Sequence, residues 1–243
     1  MKVQILYEDD FIVAINKPSG VVSHKNEWTK SYETPALQLT RDQIGQHVYS
    51  IHRLDRSTSG ILLFGKSKEC ASEIQNLFAK NKIFKTYHAL VRGWLKSDVL
   101  VNKELDGKES ESFVEPLAHL KIDEPVGRYN EARYTLVRLS PKTGRTHQLR
   151  RHLIHLNHPI IGDRVRGDRY HNKFFKEQIG IDRLWLFATS LNISSYPFAS
   201  SSEDELTIHC GISSACRRFI RKSDFVVPIE IAGKTSDILD ATN

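Results

Sequence analysis

The sequence predicts an α+β fold with a mixed, largely antiparallel central sheet flanked by helices and loops. Short β-rich runs and amphipathic helices are interspersed along the 243 residues, without the regular βαβ alternation of a doubly wound fold. Two β-rich runs at residues 3–7 and 11–16 are separated by an acidic turn, which predicts an opening hairpin. Hydrophobic residues make up 40% of the chain, which is enough for a buried core.

Local signals predict the elements that follow. Thr34 and Pro35 predict the cap and first residue of a helix that runs to about Gly45. Ser67 predicts the cap of an amphipathic helix that continues to Phe78. The segment 96–131 is polar and weakly patterned, so it is predicted to form loops and hairpins. The remaining predictions are strands at 49–54, 60–65, 83–91, 134–139, 184–193 and 206–210, and helices at 147–155, capped by Thr146, and 213–222.

Charge suggests a polyanionic partner. The chain has 35 Lys and Arg against 29 Asp and Glu, a net charge of +6 and a pI near 9.2. Basic residues and histidines are concentrated between Lys142 and His158, where no acid interrupts them. This segment indicates either contact with a nucleic acid or a solvated basic helix face, and the sequence leaves both open.

The cysteines and the N-terminus restrict the possible class of protein further. Three cysteines without a C-x-x-C pair, Cys70, Cys210 and Cys216, exclude a disulfide framework and a zinc ribbon. Residues 8–10 are acidic where a signal peptide needs an apolar run, and no apolar stretch approaches the ~20 residues of a membrane span. We therefore expect a cytoplasmic protein with reduced thiols and no membrane contact. The histidines of the basic segment lack acidic or thiol co-ligands, so no metal or cofactor is expected.

One loop is the strongest candidate for a catalytic site. A single carboxylate, Asp55, lies between two arginines in His52-Arg53-Leu54-Asp55-Arg56-Ser57-Thr58-Ser59-Gly60. An acid on a small-residue loop beside a buried strand can present a catalytic carboxylate, and the flanking guanidiniums favour its ionised form. The alternative is an ordinary surface loop with exchangeable Arg–Asp pairs.

The next residues, 60–67, match the letters of a phosphate-binding P-loop, G-x-x-x-x-G-K-[ST]. The middle of a P-loop must form an exposed turn, but here it is Ile61-Leu62-Leu63-Phe64. Exposing these side chains would cost roughly 1.5–3 kcal/mol each. The run is therefore predicted to be a buried strand, followed by a helix cap at Ser67.

Further motifs accompany this loop along the chain. They are Lys17-Pro18-Ser19-Gly20, Lys85-Thr86-Tyr87-His88-Ala89-Leu90-Val91-Arg92-Gly93-Trp94, Lys142-Thr143-Gly144-Arg145-Thr146-His147-Gln148-Leu149-Arg150, and His158-Pro159-Ile160-Ile161-Gly162-Asp163. In this order the motifs resemble those of the RNA pseudouridine synthases over nearly the whole chain. Residues 41–47, 92–94 and 150–153 are most similar to the branch of that family that modifies uridine 65 of tRNA.

The resemblance implies an isomerase that flips a uridine from its stack, detaches the uracil and rejoins it to the ribose through C5. Asp55 matches the catalytic aspartate, and its role as nucleophile or as base toward the ribose stays open. Tyr87 matches the tyrosine that packs against the flipped base, although a strand tyrosine can also be purely structural. Arg150 matches the arginine that pairs with Asp55. The expected RNA-binding residues are Arg53, which would help to displace the nucleotide, and Arg56, Lys142, Arg145, His147 and Arg151.

The resemblance also implies the organisation of the chain. Residues 1–228 are expected to form one catalytic domain without a small N-terminal RNA-binding domain of the S4 type, and residues 229–243 a loose tail. The catalytic domain would then contact the tRNA by itself, as a monomer. Two alternatives remain open at this point, namely a ribosomal RNA target and a non-catalytic RNA-binding module with the same fold.

Overall fold

A computed structural model describes residues 1–25, 31, 33–199 and 204–226. The chain divides into two compact units. The first comprises residues 1–85 and 188–210, and the second residues 86–187 together with the chain from 211 onward. The predicted tail at 229–243 lies outside the described residues, and the prediction of one domain over 1–228 stays a prediction.

The described residues contain strands and helices in mixed order. The strands are β1 (Gln4–Glu8), β2 (Ile12–Lys17), β3 (Tyr49–Ser50), β4 (Ser59–Gly65), β5 (Ile83–Arg92), β6 (Val99–Asn102), β7 (Glu111–Ile122), β8 (Ala132–Pro141), β9 (Leu186–Ile193), β10 (Leu206–His209) and β11 (Phe225–Val226). The helices are α1 (Ala36–Ile44), α2 (Lys68–Ala79), α3 (Gln148–His155), α4 (Arg169–Glu177) and α5 (Ser214–Lys222). The predicted α+β class with largely antiparallel pairing is confirmed.

The first unit is built around β4, every residue of which is buried. The strand order is β1–β2–β4–β9, with β3 paired to β4 and β10 to β9. Ala71 and Ile74 of α2 belong to the same core as Ile61 and Leu63 of β4. The predicted opening hairpin is confirmed, as is the cap of α2, where the Ser67 hydroxyl accepts a hydrogen bond from the Cys70 N–H.

The second unit is built around an antiparallel group in which β8 lies between β5 and β7. Phe175 of α4 contacts three aromatic rings of its core edge to face, with centroids 5.1 Å from Tyr134, 6.1 Å from Trp185 and 5.3 Å from Phe219. Because Phe219 belongs to α5, this one buried ring links α4, α5 and the strands.

The prediction of loops and hairpins at 96–131 was correct in part, because β6 and β7 pair as an antiparallel hairpin, but the sequence did not indicate the twelve-residue length of β7. Glu115 and Pro116 in the middle of β7 argue against a central strand on sequence grounds. The structure accommodates the proline at an irregularity, since the pairing with β8 shifts between Pro116 and Ala118. A proline lacks the N–H of a regular ladder, so it is tolerated at such a shift.

Four smaller predictions also need correction. Helix α1 begins at Ala36, with Pro35 and not Thr34 as its N-cap. The strand expected at 49–54 is reduced to β3, and helix α4 was not predicted. Helix α3 begins at Gln148 with His147, not Thr146, as its N-cap, and the His147 φ of 54° is left-handed. Among the described residues no side chain caps α3, and the Gln148 Oε1 instead holds the preceding loop, because it accepts from the Arg145 N–H at 2.9 Å and from the Thr143 hydroxyl at 2.7 Å.

Candidate active site

The Asp55 loop leads directly into β4. Asp55 is half-buried, and its carbonyl accepts a hydrogen bond from the Thr58 N–H at 3.1 Å, which closes a turn. Gly60 follows with a φ of 110°, and a Cβ at that position would lie 2.1 Å from the Ala188 carbonyl oxygen. Glycine is therefore required where the loop becomes a strand. The buried strand predicted at Ile61–Phe64 is confirmed, which excludes a P-loop there.

Lys17, the last residue of β2, holds this loop, and its side chain is completely buried. The Lys17 ammonium donates to three carbonyls, those of Pro18 at 2.9 Å, Val21 at 2.7 Å and Arg56 at 3.1 Å. An ammonium has three N–H donors, so these three bonds satisfy it. Since Arg56 adjoins Asp55, Lys17 fixes the backbone next to the candidate catalytic carboxylate.

Two serines and a glycine add to the same support. The Ser23 hydroxyl donates to the Leu54 carbonyl at 2.9 Å and accepts from the Leu54 N–H at 3.0 Å. The Ser19 hydroxyl donates to the Ser57 carbonyl at 2.8 Å, and the Gly20 N–H donates to the Arg56 carbonyl at 2.8 Å. The role of the Lys17–Gly20 motif is thus to position the loop, a role that the motif letters alone did not indicate.

His52 supports the loop from the strand side. Its Nε2 accepts a hydrogen bond from the Leu63 N–H at 3.1 Å, and its ring lies 5.2 Å from that of Phe78. Burial, reinforced by the positive charge of Lys85, lowers the pKa of His52 to about 3. The imidazole is therefore neutral at pH 7, which an Nε2 acceptor requires.

The two arginines that flank Asp55 have different surroundings. Arg53 is exposed, as expected for a residue that would contact RNA. Arg56 forms a two-pronged ion pair with Glu33, in which Nη2 lies 3.0 Å from Oε2. Glu33 therefore offsets part of the positive charge of Arg56, which the sequence analysis expected to act on Asp55. Nothing in the sequence indicated that Glu33 is the partner of Arg56.

Tyr87 lies in β5, opposite Leu139 of β8. Its side chain is half-buried and packs against the core of the second unit. Lys85, two residues earlier in the same motif, is partly buried, and burial lowers the pKa of its ammonium. A half-buried tyrosine on a central strand suits a wall of an active site and suits a structural position equally well, so both roles of Tyr87 stay open.

Arg150 of α3 is buried and held by Asp163 in a bidentate ion pair. The Nε and Nη2 atoms donate to the two carboxylate oxygens at 2.7 and 2.9 Å. Burial alone would raise the pKa of Asp163, but the hydrogen bonds from Arg150 and from the N–H groups of Arg166 and Val165 hold it below its ordinary value. A guanidinium fixed in this way presents its remaining N–H groups in one orientation.

The position of Asp163 as the partner of Arg150 was missed by sequence reasoning. The signal was its place at the end of the 158–163 motif, thirteen residues after the arginine. The expected pairing of Arg150 with Asp55 stays a prediction. Asp55, Arg53 and Arg56 belong to the first unit, and the other candidates to the second.

Most basic residues and histidines of the segment 142–158 are exposed or half-buried, and Arg150 and His152 are buried. Arg145 is exposed and donates from Nε to the Glu109 carbonyl at 2.9 Å, and Lys142 pairs with Glu111. Arg151 binds Asp106 through two hydrogen bonds of 2.6 and 3.0 Å. His147 is half-buried at the start of α3. Exposed cations joined to single carboxylates can exchange these partners for phosphates, because such surface pairs are worth little.

The described part of the chain shows neither a group of three or more His, Cys, Asp or Glu suited to a metal ion nor a helix long and apolar enough to cross a membrane. No disulfide joins the three cysteines.

These features define a class of protein once they are compared with known ones. A family model described as RNA pseudouridylate synthase matches residues 11–155, a range that contains Asp55, Tyr87 and Arg150. The chain belongs to this family of isomerases.

Individual relatives narrow the comparison. The chain is 38% identical to tRNA pseudouridine synthase C of Vibrio parahaemolyticus, over 93% of its own length and 96% of the relative. It is 42% identical to the protein of the same name from Vibrio cholerae, over 86% and 91% of the two chains. The resemblance to the tRNA branch that the motifs indicated is confirmed by these matches.

Solved structures agree with the fold. The structures of human RNA pseudouridylate synthase domain containing 1 and 4 each superpose with a TM-score of 0.66 at 23% identity. They cover 87% and 93% of this chain, and the matches extend over 84% and 94% of the human chains. These likenesses support the fold class.

Proposed function

We propose that this protein converts a specific uridine of tRNA to pseudouridine, at uridine 65. The observation that carries the proposal is the identity of about 40% over nearly the whole chain with relatives named tRNA pseudouridine synthase C. We further propose that it acts in the cytoplasm as a monomer, without a metal or cofactor, and that one catalytic domain spans residues 1–228.

Asp55, Tyr87 and Arg150 are the proposed catalytic residues. The target uridine leaves its stack, and Arg53 helps to displace it. Asp55 then acts on the ribose, as nucleophile or as base, while the N1–C1′ bond breaks. The uracil turns, a C5–C1′ bond forms, C5 loses its proton and N1 gains one, so the product is an isomer of the substrate. Tyr87 packs against the base and assists removal of the C5 proton.

The way in which the chain holds Asp55 supports this assignment. The backbone on both sides of the carboxylate is bound to the 17–23 segment by Lys17, Ser19 and Ser23. A surface loop of exchangeable charges needs no buried ammonium beneath it. Catalysis benefits from such support, because a misplacement of about 1 Å can cost roughly 10²-fold in rate. Arg150 receives comparable support from Asp163.

Arg56, Lys142, Arg145, His147 and Arg151 are the proposed RNA contacts. All five are exposed or half-buried, and three of the basic side chains pair with partly or fully exposed acids: Arg56 with Glu33, Lys142 with Glu111 and Arg151 with Asp106. Replacement of these acids by phosphates on binding would release counterions and make the affinity salt-dependent.

The experiment is tritium release from tRNA that carries tritium at C5 of uridine. The wild-type protein should release tritium from tRNA and not from an equally labelled ribosomal RNA fragment. Release from the ribosomal fragment alone would reassign the substrate. Binding of both RNAs without any pseudouridine would favour the non-catalytic module. Mapping pseudouridines in tRNA from cells with and without the gene would test the position.

A further inference from the structure

The second unit carries two Arg–Tyr pairs beside one cavity. Arg128 and Tyr129 lie at the turn between β7 and β8, and Arg169 and Tyr170 begin α4. In each pair the guanidinium carbon lies over the ring of the following tyrosine, 5.1 and 4.7 Å from the centroid. Each guanidinium also donates to that tyrosine's hydroxyl, at 3.0 and 2.7 Å. The tyrosines are 44% and 51% exposed, so both aromatic rings are partly open to solvent.

The cavity has a volume of about 470 Å³, which is within the range of small-molecule sites. Both tyrosines line it, together with Arg92, Arg128, Asp168 and His171. The turn lies close to α4, because a Cβ at Gly127, whose φ is 63°, would be 3.2 Å from Cγ of Tyr170. A second cavity of about 460 Å³ shares Arg92, Tyr129 and His171 with the first and adds Trp94.

The charge of this surface favours an anion. Its two acids already have partners, since Asp168 binds Arg92 at 2.5 Å and Glu131 binds Arg133 and Lys121. Among the residues that the structure describes, the remaining cations Lys96, Arg128 and Arg169 form no ion pair. Three positive charges next to exposed aromatic rings are typical of surfaces that bind nucleic acid strands.

His171, one of the residues that line both cavities, is buried. His171 is only 3% exposed, and its Nδ1 lies 3.0 Å from the Tyr134 hydroxyl. Its Nε2 has no hydrogen-bond partner within the described ranges.

The two pairs, Arg128 with Tyr129 and Arg169 with Tyr170, are called the Arg–Tyr surface below. We propose that the Arg–Tyr surface binds an unpaired nucleotide of the RNA substrate, other than the target uridine. The base stacks on Tyr129 or Tyr170, and Arg128 and Arg169 contact the adjoining phosphates. Every base has a π-face, so such stacking tolerates sequence changes. Bases inside a duplex are already stacked, which makes an unpaired nucleotide the fitting occupant. The proposal rests on the proposed function only in taking tRNA as the natural RNA.

The test measures the affinity for a fluorescent oligoadenylate of about ten nucleotides, and for a duplex of the same length. Tyr129→Ala and Tyr170→Ala should each weaken single-strand binding about fivefold or more and leave duplex binding within about twofold. Tyr170→Phe keeps the ring and should stay within about threefold of wild type. Unchanged single-strand affinity in both alanine variants would overturn the proposal, as would equal weakening for duplex and single strand.

Helix α4 offers a matched pair of charge substitutions, at Arg169 and at Lys173. Arg169→Gln should weaken binding of both RNAs and lower the salt dependence by about one counterion. Lys173→Gln removes an equally charged, 70% exposed side chain of α4 and should change neither. Equal effects of the two variants would contradict a role for the Arg–Tyr pair.

Turnover on tRNA separates this proposal from the proposed function. If the surface binds the substrate, the two alanine variants should raise KM for tRNA about as much as they weaken oligonucleotide binding. If the wild-type protein formed no pseudouridine, the proposed function would fail, while the oligonucleotide experiment would still decide the fate of the Arg–Tyr surface.

Discussion

Replacing Lys17 with methionine should both destabilise the first unit and reduce catalysis. The methionine keeps most of the apolar side chain in its buried position but removes the three hydrogen bonds to the carbonyls of Pro18, Val21 and Arg56. The first two bonds shape the turn after β2, and the third attaches that turn to the residue next to Asp55.

The magnitude follows from the carbonyls left behind. A buried acceptor without a partner costs about 1–3 kcal/mol. The Arg56 carbonyl keeps its hydrogen bond from the Gly20 N–H, so two carbonyls lose their partner, which gives a range of about 2–6 kcal/mol. Removal of the ammonium also removes its own desolvation cost, which favours the lower part of this range, about 2–4 kcal/mol. For a chain of this size that corresponds to a fall in Tm of about 4–16 °C.

The assay is urea unfolding followed by circular dichroism, with kcat measured well below the new Tm. We expect kcat to fall at least about tenfold, because the backbone beside Asp55 loses its anchor. Lys66→Met is the matched control, since Lys66 makes a single ion pair with Glu8 at the edge of the same unit and should cost less than about 1 kcal/mol. Equal, small effects of the two substitutions would refute the reasoning.

Three further predictions concern other parts of the site. Asp163→Asn leaves Arg150 buried with a weaker partner, so it should cost about 3–5 kcal/mol of stability by urea unfolding and lower kcat at constant RNA affinity; a fully active, stable variant would count against the positioning role of Asp163. Because the pKa of His52 is about 3 in the folded protein, against 6.5 for a solvated histidine, only the unfolded chain binds the proton between these values. Stability should therefore fall as the pH drops from 6.5 toward 3, by up to about 1.4 kcal/mol per pH unit, and His52→Phe should flatten this slope in acid titrations. Arg145→Gln should weaken tRNA binding and lower the slope of log affinity against log salt by about one; an unchanged slope would remove Arg145 from the RNA contacts.

Much of the fold could be predicted because several elements carry strong local signals. Ser67 is an N-cap directly before an amphipathic pattern, and Ile61–Phe64 is an apolar run of strand length. The extent of strand β7 could not be predicted, because Pro116 and the buried Glu115 conflict with the local pattern and are accommodated in the pairing with β8. Tertiary pairing overrides propensity at such positions.

The same distinction between local sequence signals and tertiary contacts applies to the candidate site. Asp55, Tyr87 and Arg150 were identified by motif letters, since each motif is a short contiguous segment. Their supporting residues were not assigned, because Lys17, Glu33 and Asp163 act over separations in the chain that no local pattern records. The left-handed His147 at the start of α3 was likewise not foreseen, since a non-glycine residue rarely adopts that conformation.

The central claim is that Asp55 is the residue on which isomerisation depends. The most direct measurement is single-turnover tritium release from C5-labelled tRNA by wild type and by Asp55→Asn, with tRNA affinity determined in parallel. The proposed chemistry predicts that the variant binds tRNA within about threefold of wild type, since one carboxylate is a small part of a phosphate-dominated interface, and releases no detectable tritium. Release at the wild-type rate by a folded, tRNA-binding Asp55→Asn protein would contradict it.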